Sequence, residues 1–303
     1  MNLIISAIIC THNRCDYLRR AIESLVNQTF PKPHYEIIIV DNNSSDGTKD
    51  MIASDFHDVI NLRYVFESML NLSVARNTGW KQAQGKYAAY LDDDAAASPE
   101  WIEKIVETFE TKGPMPGCVG GPVKPIWPLV RPKWLSGLLL PYLSVVDWSS
   151  QPMVLNAHQW IVGTNMAFPK IILEQICGFP VDLGRKGSNL LSGEERLVQL
   201  KIQEKGLTCF YNPEIQVEHR ILPEKMTRRW FLHASFSSGI SEAILNKKLE
   251  ETESSNELPK WKITLAERIK KIRSFKDFPS IFTIICYLIS RIGWLAASLG
   301  VIK

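Results

Sequence analysis

Residues 86–101 read KYAAYLDDDAAASPEW. Tyr87 to Leu91 form a short apolar, aromatic run of the kind that suits a buried β-strand. The run ends directly in Asp92, Asp93 and Asp94. Three adjacent carboxylates repel one another, and desolvation raises that cost if they are fixed near a rigid strand end. A strand that delivers three negative charges to one rim calls for a cation there.

The chain before this stretch sets the architecture. Leu3 to Thr11 (LIISAIICT) reads as a strand, and Asp16 to Asn27 as a helix with Leu18, Ile22, Leu25 and Val26 on one face. Glu36 to Asn42 (EIIIVDN) is a second strand, too continuously apolar to be half exposed. A helix then opens in SSDGTKD, LRYVFES is a third strand, and Leu72 to Gln84 is a helix leading into the fourth strand at Tyr87. This β-α-β-α-β-α-β order predicts an α/β fold, a Rossmann-like and mostly parallel sheet flanked by helices. Such sheets bind ligands beyond the carboxyl ends of their strands. That rule collects THNR, VDNNS and LDDD along one edge.

The later sequence is less regular. Residues 114–160 hold many prolines and Trp127, Trp134, Trp148 and Trp160, which predicts a long surface excursion. TNMAFPK is strand-like, and a helix is expected around Ile171 to Cys177. LLSGEERLVQLKIQEKG is helical, LTCFYNPEIQVEHRI holds one or two short strands, and Glu224 to Glu251 is expected as a long helix. The polar EETESSNELP reads as a flexible linker. The division expected is a catalytic domain over 1–235 and a helical C-terminal extension over 236–303.

Composition narrows the class. In 303 residues, hydrophobic residues at 45% and charged residues at 22% describe a chain able to bury a sizeable core. A net charge of +3 does not suggest a nucleic-acid partner. Six cysteines without a CxxC spacing read as free thiols of a reducing cytoplasm, with no structural zinc site. The start MNLIISAIICTHN has no basic leader, so its apolar run is expected to be structural. At the other end, PSIFTIICYLISRIGWLAASLGVIK is about long enough to span a bilayer, but Arg291 sits near its middle. A charge there costs at least about 2.5 kcal/mol on insertion scales. The preceding KWKITLAERIKKIRSFKDF is basic with helical apolar spacing. Peripheral contact with an anionic membrane face is therefore expected, with a true span and packing of helices on the catalytic domain as the alternatives.

Four clusters carry candidate chemistry. Thr11, Asn13 and Arg14 follow the first strand, and Asp41 with Asn43 follows the second. A strand-end aspartate suits hydrogen bonds from a base N–H or from ribose hydroxyls, although caps and turns use the same residues. The Asp92, Asp93 and Asp94 triplet suits an octahedral Mg²⁺ or Mn²⁺ completed by water and diphosphate oxygens. It could instead cap the next helix, but Ser98 with Pro99 already offers that start. In SGEERL, Glu194 or Glu195 can serve as a general base, whereas Ser192 and Glu195 also have capping-box spacing.

In this order the clusters resemble the family 2 glycosyltransferases of the GT-A fold, from about Ser6 to Arg220. The likeness rests on SAIICTHNR, IIIVDNNSSDGT, LSVARNTGWKQAQGKYAAYLDDDAAASPEWI, GTNMAFPK and CGFPVDLGRKGSNLLSGEERLVQLKIQEKG. It implies an inverting, metal-dependent enzyme that moves a sugar from a nucleotide-sugar donor, UDP-linked by family frequency, to a glycan or lipid-linked acceptor. It places Thr11, Asn13, Arg14, Asp41 and Asn43 around the nucleoside. Arg76 and Asn77 of ARNTG fall near the donor, with Asp92 and Asp93 beside it. Asp94 is the implied metal ligand, and His219 of VEHRI matches a position where some relatives place a histidine near the metal. A structural histidine is the alternative. GEE aligns with the family's acidic base motif, usually Glu-Asp, so Glu195 is favoured as base over Glu194. Gly163, Thr164 and Asn165 are expected on the acceptor side. Two other classes are the alternatives: a catalytically silent sugar-nucleotide or glycan-binding module, and a nucleotidyltransferase, for which CTHNRCDYL lacks a glycine- and lysine-rich phosphate loop.

Overall fold

The computed structural model describes residues 3–156, 158–185, 190–252 and 280–302. Four strands, β1 (Ile5–Thr11), β2 (Tyr35–Asp41), β3 (Leu62–Phe66) and β4 (Tyr87–Asp92), alternate with the helices α1 (Cys15–Val26), α2 (Thr48–Asp55) and α3 (Leu72–Gln82). After β4 come β5 (Ala95–Ala97), α4 (Trp101–Thr111), β6 (Cys118–Gly120), β7 (Val123–Ile126), β8 (Met153–Val154), β9 (Asn165–Pro169) and α5 (Lys170–Gln175). The chain continues through α6 (Glu194–Glu204), β10 (Cys209–Tyr211), β11 (Val217–Arg220), α7 (Arg228–Thr252) and α8 (Ile281–Ser298).

An eight-stranded sheet runs in the order β3-β2-β1-β4-β9-β6-β10-β8, and β3, β2, β1 and β4 are mutually parallel. β9 inserts antiparallel between β4 and β6. The continuous apolar runs of β1, β2 and β4 are explained by cover on both faces. Ile5, Ala7 and Ile9 join α1 and α4 in one core, while Ile8, Ile38, Val40 and Tyr90 join residues of α3, α5 and α6 in the other. The period of two along each strand sends alternate residues to the two layers.

A second sheet, β5-β11-β7, is small but decides the site. β11 pairs antiparallel with β5, placing His219 opposite Ala95, one residue beyond Asp94. The aspartates therefore lead into a strand rather than into α4. The expected Ser98 cap is also absent: α4 begins at Trp101 after Glu100, and the buried Ser98 hydroxyl has no hydrogen-bond partner. Nor is there a Ser192–Glu195 capping box. Gly193, at φ 98, is the N-cap of α6 without a side-chain cap, and the Ser192 amide donates to Ser241 Oγ.

The excursion over 114–160 is more buried than the sequence suggests. Leu135, Leu139, Leu143 and Val145 pack against Phe231 of α7 and Cys286 of α8. Trp134 stands edge-on to Phe231 and Phe282 at 5.4 and 5.0 Å. The expected division between 235 and 236 falls inside α7, and the expected helix from Glu224 begins instead as a 3-10 turn, Pro223–Met226. α7 and α8 cross closely at glycines. A Cβ at Gly239 would collide with the Ser290 carbonyl, and one at Gly293 with the Phe236 carbonyl. Arg291 is ion-paired with Glu242 of α7, which answers the charge in the middle of an otherwise apolar helix. The basic run 260–278 and the linker beyond residue 252 lie outside the described residues.

Candidate active site

β1 and β4 are aligned so that Cys10 is level with Asp92, and β1 and β2 so that Thr11 is level with Asp41. Their carboxyl ends open on a cleft of about 680 Å³. The aspartate triplet forms one wall, and the tip of α6 with Glu194 and Glu195 forms another.

Each aspartate has different partners. Asp92 Oδ2 accepts from Thr164 Oγ1 at 2.6 Å, and its Oδ1 lies 3.8 Å from Arg76 Nη2. Asp93 accepts from Thr11 Oγ1 at 2.8 Å and from Arg14 Nη1 at 3.0 Å. Burial pushes the Asp93 carboxyl up to about 6, with Arg14 opposing the shift and Asp94 adding to it. Asp94 is nearly enclosed by basic side chains: Arg14 Nη1 donates to Oδ2 at 2.7 Å, His219 Nε2 stands 3.0 Å from Oδ1, and Lys225 Nζ is 3.8 Å from Oδ2. Burial works against its ionisation, but His219, Lys225 and Arg14 outweigh it and hold the carboxyl well below the usual range.

The α6 wall is tied to the triplet through Arg76. This guanidinium is 4% exposed and donates from Nη1 to Glu194 Oε1 at 2.6 Å. Gly163 leaves it room, since a Cβ there would come within 2.5 Å of Nη2. Glu194 is thus engaged in a buried ion pair, with its Oε2 lacking a partner. Glu195, one residue on, has its carboxyl pushed up to about 7 by burial and by the charge of Glu194, with Arg76 opposing. Two neighbouring acids thereby differ in setting: Glu194 is held by Arg76, whereas burial raises the Glu195 carboxyl.

Several residues expected at the site have structural partners. Asp41 is buried and holds Tyr64 Oη at 2.7 Å and the Ser44 amide at 2.9 Å. The cleft wall takes Asn42 at that point. Asn13 and Asn43 are left-handed turn residues at φ 52 and 62, and Asn13 Oδ1 accepts from the Ser45 amide at 2.7 Å. Gly163 and Thr164 line the cleft. Asn165 instead lies in the core, accepting from Trp101 Nε1 and donating to the Pro122 and Ile215 carbonyls. Asn77 buttresses the loop after α5 through the Phe179 backbone. Trp160, the end of the tryptophan-rich excursion, lines the cleft, as do Lys225, Arg185, Trp230 and Tyr142, which no local pattern singles out in the sequence.

Comparison with known proteins agrees with this geometry. Residues 6–137 match the family model for glycosyl transferase family 2. A glucosyl-dolichyl phosphate glucuronosyltransferase of Haloferax volcanii is 27% identical over 246 residues, covering 80% of this chain and 77% of the relative. The fold is shared with a Pyrobaculum calidifontis mannosyltransferase solved with GDP-Man and Mn²⁺, at TM-score 0.63 and 18% identity over 98% of this chain and 87% of that one. It is also shared with S. aureus TarS solved with UDP-GlcNAc, at TM-score 0.57 and 15% identity over 98% and 92%. The ordered acidic clusters, the sheet that aligns them and these likenesses together identify a glycosyltransferase with a GT-A fold, whose residues 6–137 match glycosyl transferase family 2.

Proposed function

We propose that the enzyme transfers a sugar from a nucleoside diphosphate donor, UDP-linked by preference, to a lipid-linked glycan at the cytoplasmic face of a membrane, with inversion at the anomeric carbon. The observation that carries this reading is the cleft itself, in which the Asp92–Asp94 wall faces a glutamate whose carboxyl is pushed up to about 7. The donors bound by the mannosyltransferase and by TarS support the donor class. The glucosyl-dolichyl phosphate of the Haloferax relative supports a lipid-linked acceptor.

Asp94 and His219 fit a hard divalent cation such as Mn²⁺ or Mg²⁺. An oxygen of Asp94 and a nitrogen of His219 stand 3.0 Å apart in the cleft wall, so both would be donors to one ion bound there. The bound ion supplies neutralisation of charge on the departing diphosphate. Thr11, Arg14 and Asp93 hold the donor end of the wall, Asn42 takes the nucleoside side, and Asp92 is oriented by Thr164 and Arg76 toward the sugar. Glu195 removes the proton of the acceptor hydroxyl as its oxygen attacks the anomeric carbon opposite the diphosphate, and the diphosphate departs with the bonding pair. Arg76 holds Glu194 fixed beside this base. Trp160 and Trp230 line the acceptor side of the cleft. The C-terminal helices bring the cleft to the lipid.

The test is a panel of sugar nucleotides with Mn²⁺ and a polyprenyl-phosphate-linked saccharide. Transfer with release of a nucleoside diphosphate supports the reading. Release of pyrophosphate from a nucleoside triphosphate, or donor binding with neither transfer nor hydrolysis, contradicts it.

A further inference from the structure

Lys225 has no part in the reading above, yet it stands with Arg14 as a second cation beside Asp94. It lies on the 3-10 turn that joins β11 to α7, is 8% exposed, and lines the cleft. Lysine is almost never so buried without a partner. Its separation of 3.8 Å from Asp94 Oδ2 exceeds hydrogen-bond length, and that oxygen already accepts from Arg14. The ammonium is therefore held by charge rather than by a fixed hydrogen bond. Burial lowers its pKa, with Asp94 working the other way. A divalent cation arriving at Asp94 and His219 repels this ammonium and takes over the negative charge that holds it. The anion that accompanies the cation, a diphosphate, then offers oxygens within reach of the same flexible four-carbon stem.

We propose that Lys225 is a displaceable counter-cation, which neutralises Asp94 while metal and donor are absent and transfers its ammonium to the donor diphosphate when they bind. This deepens the donor-site reading and rests on it. Lys225 thereby adds to Arg14 in balancing the buried Asp94 charge between turnovers, and the diphosphate gains a cation that is already desolvated.

The experiment uses the full chain with Lys225→Met, which keeps the apolar stem and removes the charge. Mn²⁺ alone is titrated by electron paramagnetic resonance, then UDP and GDP by calorimetry at saturating Mn²⁺, with uridine and guanosine as controls. The variant is expected to bind Mn²⁺ alone several-fold more tightly, because a competing cation is gone. It should bind the nucleoside diphosphate at least tenfold more weakly, with nucleoside affinity unchanged. Lys225→Arg should recover most of the diphosphate affinity. Diphosphate affinity within twofold of wild type, or weaker binding of Mn²⁺ alone, overturns the proposal. Lys225→Gln carries the same measurements if the methionine variant does not unfold cooperatively. A wild-type protein that binds neither diphosphate overturns the donor reading itself, whereas equal binding by wild type and Lys225→Met overturns only the role of Lys225.

Discussion

At Glu194 and Glu195 the residue type settles little and the environment settles much. Both are glutamates at the start of one helix, but Arg76 holds only the first. A base must be deprotonated to act, so kcat should rise as the pH climbs through about 7 and level off above it. Glu195→Gln should remove that limb and lower kcat by roughly 10²–10⁴-fold while nucleoside diphosphate binding persists. Glu194→Gln removes the charge that helps raise its neighbour, so the limb should move to lower pH. It also leaves buried Arg76 with only the more distant Asp92 as a charged partner, at a cost of up to about 3–5 kcal/mol in urea unfolding. A full-activity Glu195→Gln would end its assignment as base. Asp94→Ala should abolish Mn²⁺-stimulated transfer in a protein that still folds, and chelation should do the same to wild type, reversibly. The triplet and the glutamate pair were legible because like charges crowd within a few positions. Lys225 was not, because its meaning comes from Asp94, a partner distant in the chain. Asn165 misled for the same reason, since its burial is set by Trp101 and two carbonyls from elsewhere in the sheet.

Among elements, the β-α alternation of the first half could be read because each strand and helix is long enough to show its period. β5 and β11 span only 95–97 and 217–220, too short for any period, yet they bring His219 to Asp94. The α7–α8 crossing was equally hidden. Its glycines look like helix weakeners in sequence and act as contact points in space. Gly239→Val, whose side chain would strike the Ser290 carbonyl, should force the helices apart and lower stability by roughly 1–3 kcal/mol in urea unfolding. Gly137→Ala, where a Cβ meets nothing within 4 Å, should be close to neutral. Equal behaviour of the two variants would argue against close helix contact.

For the whole molecule, the outward face of α8 matters most. Ile281, Ile284, Ile285, Leu288, Ile292 and Leu295 form an exposed stripe at helical spacing, between 41% and 80% exposed. The stripe follows directly in sequence on the basic run 260–278. The proposed peripheral membrane contact predicts stronger flotation with phosphatidylglycerol vesicles than with phosphatidylcholine ones, weakening as salt rises. Leu288→Asp combined with Ile292→Asp should cut vesicle binding at least tenfold with little change in Tm, because both side chains are more than half exposed. Retained flotation of the double variant would dismiss this face as the contact. Sequence showed the apolar length of this segment but not that one side of it is already occupied by α7.

The three-stranded sheet has a consequence for the order of synthesis. Everything in the matched span 6–137, the three aspartates included, leaves the ribosome before Glu195, His219 or Lys225 has been made. A nascent chain can close β1 to β4 early, but Ala95–Ala97 must wait for Val217–His219 before β5 has this partner. Such distant pairing is slow to form, and until it does the acidic rim has no opposing wall. Translation that stops short of residue 217 thus leaves the recognisable half of a transferase without the means to transfer.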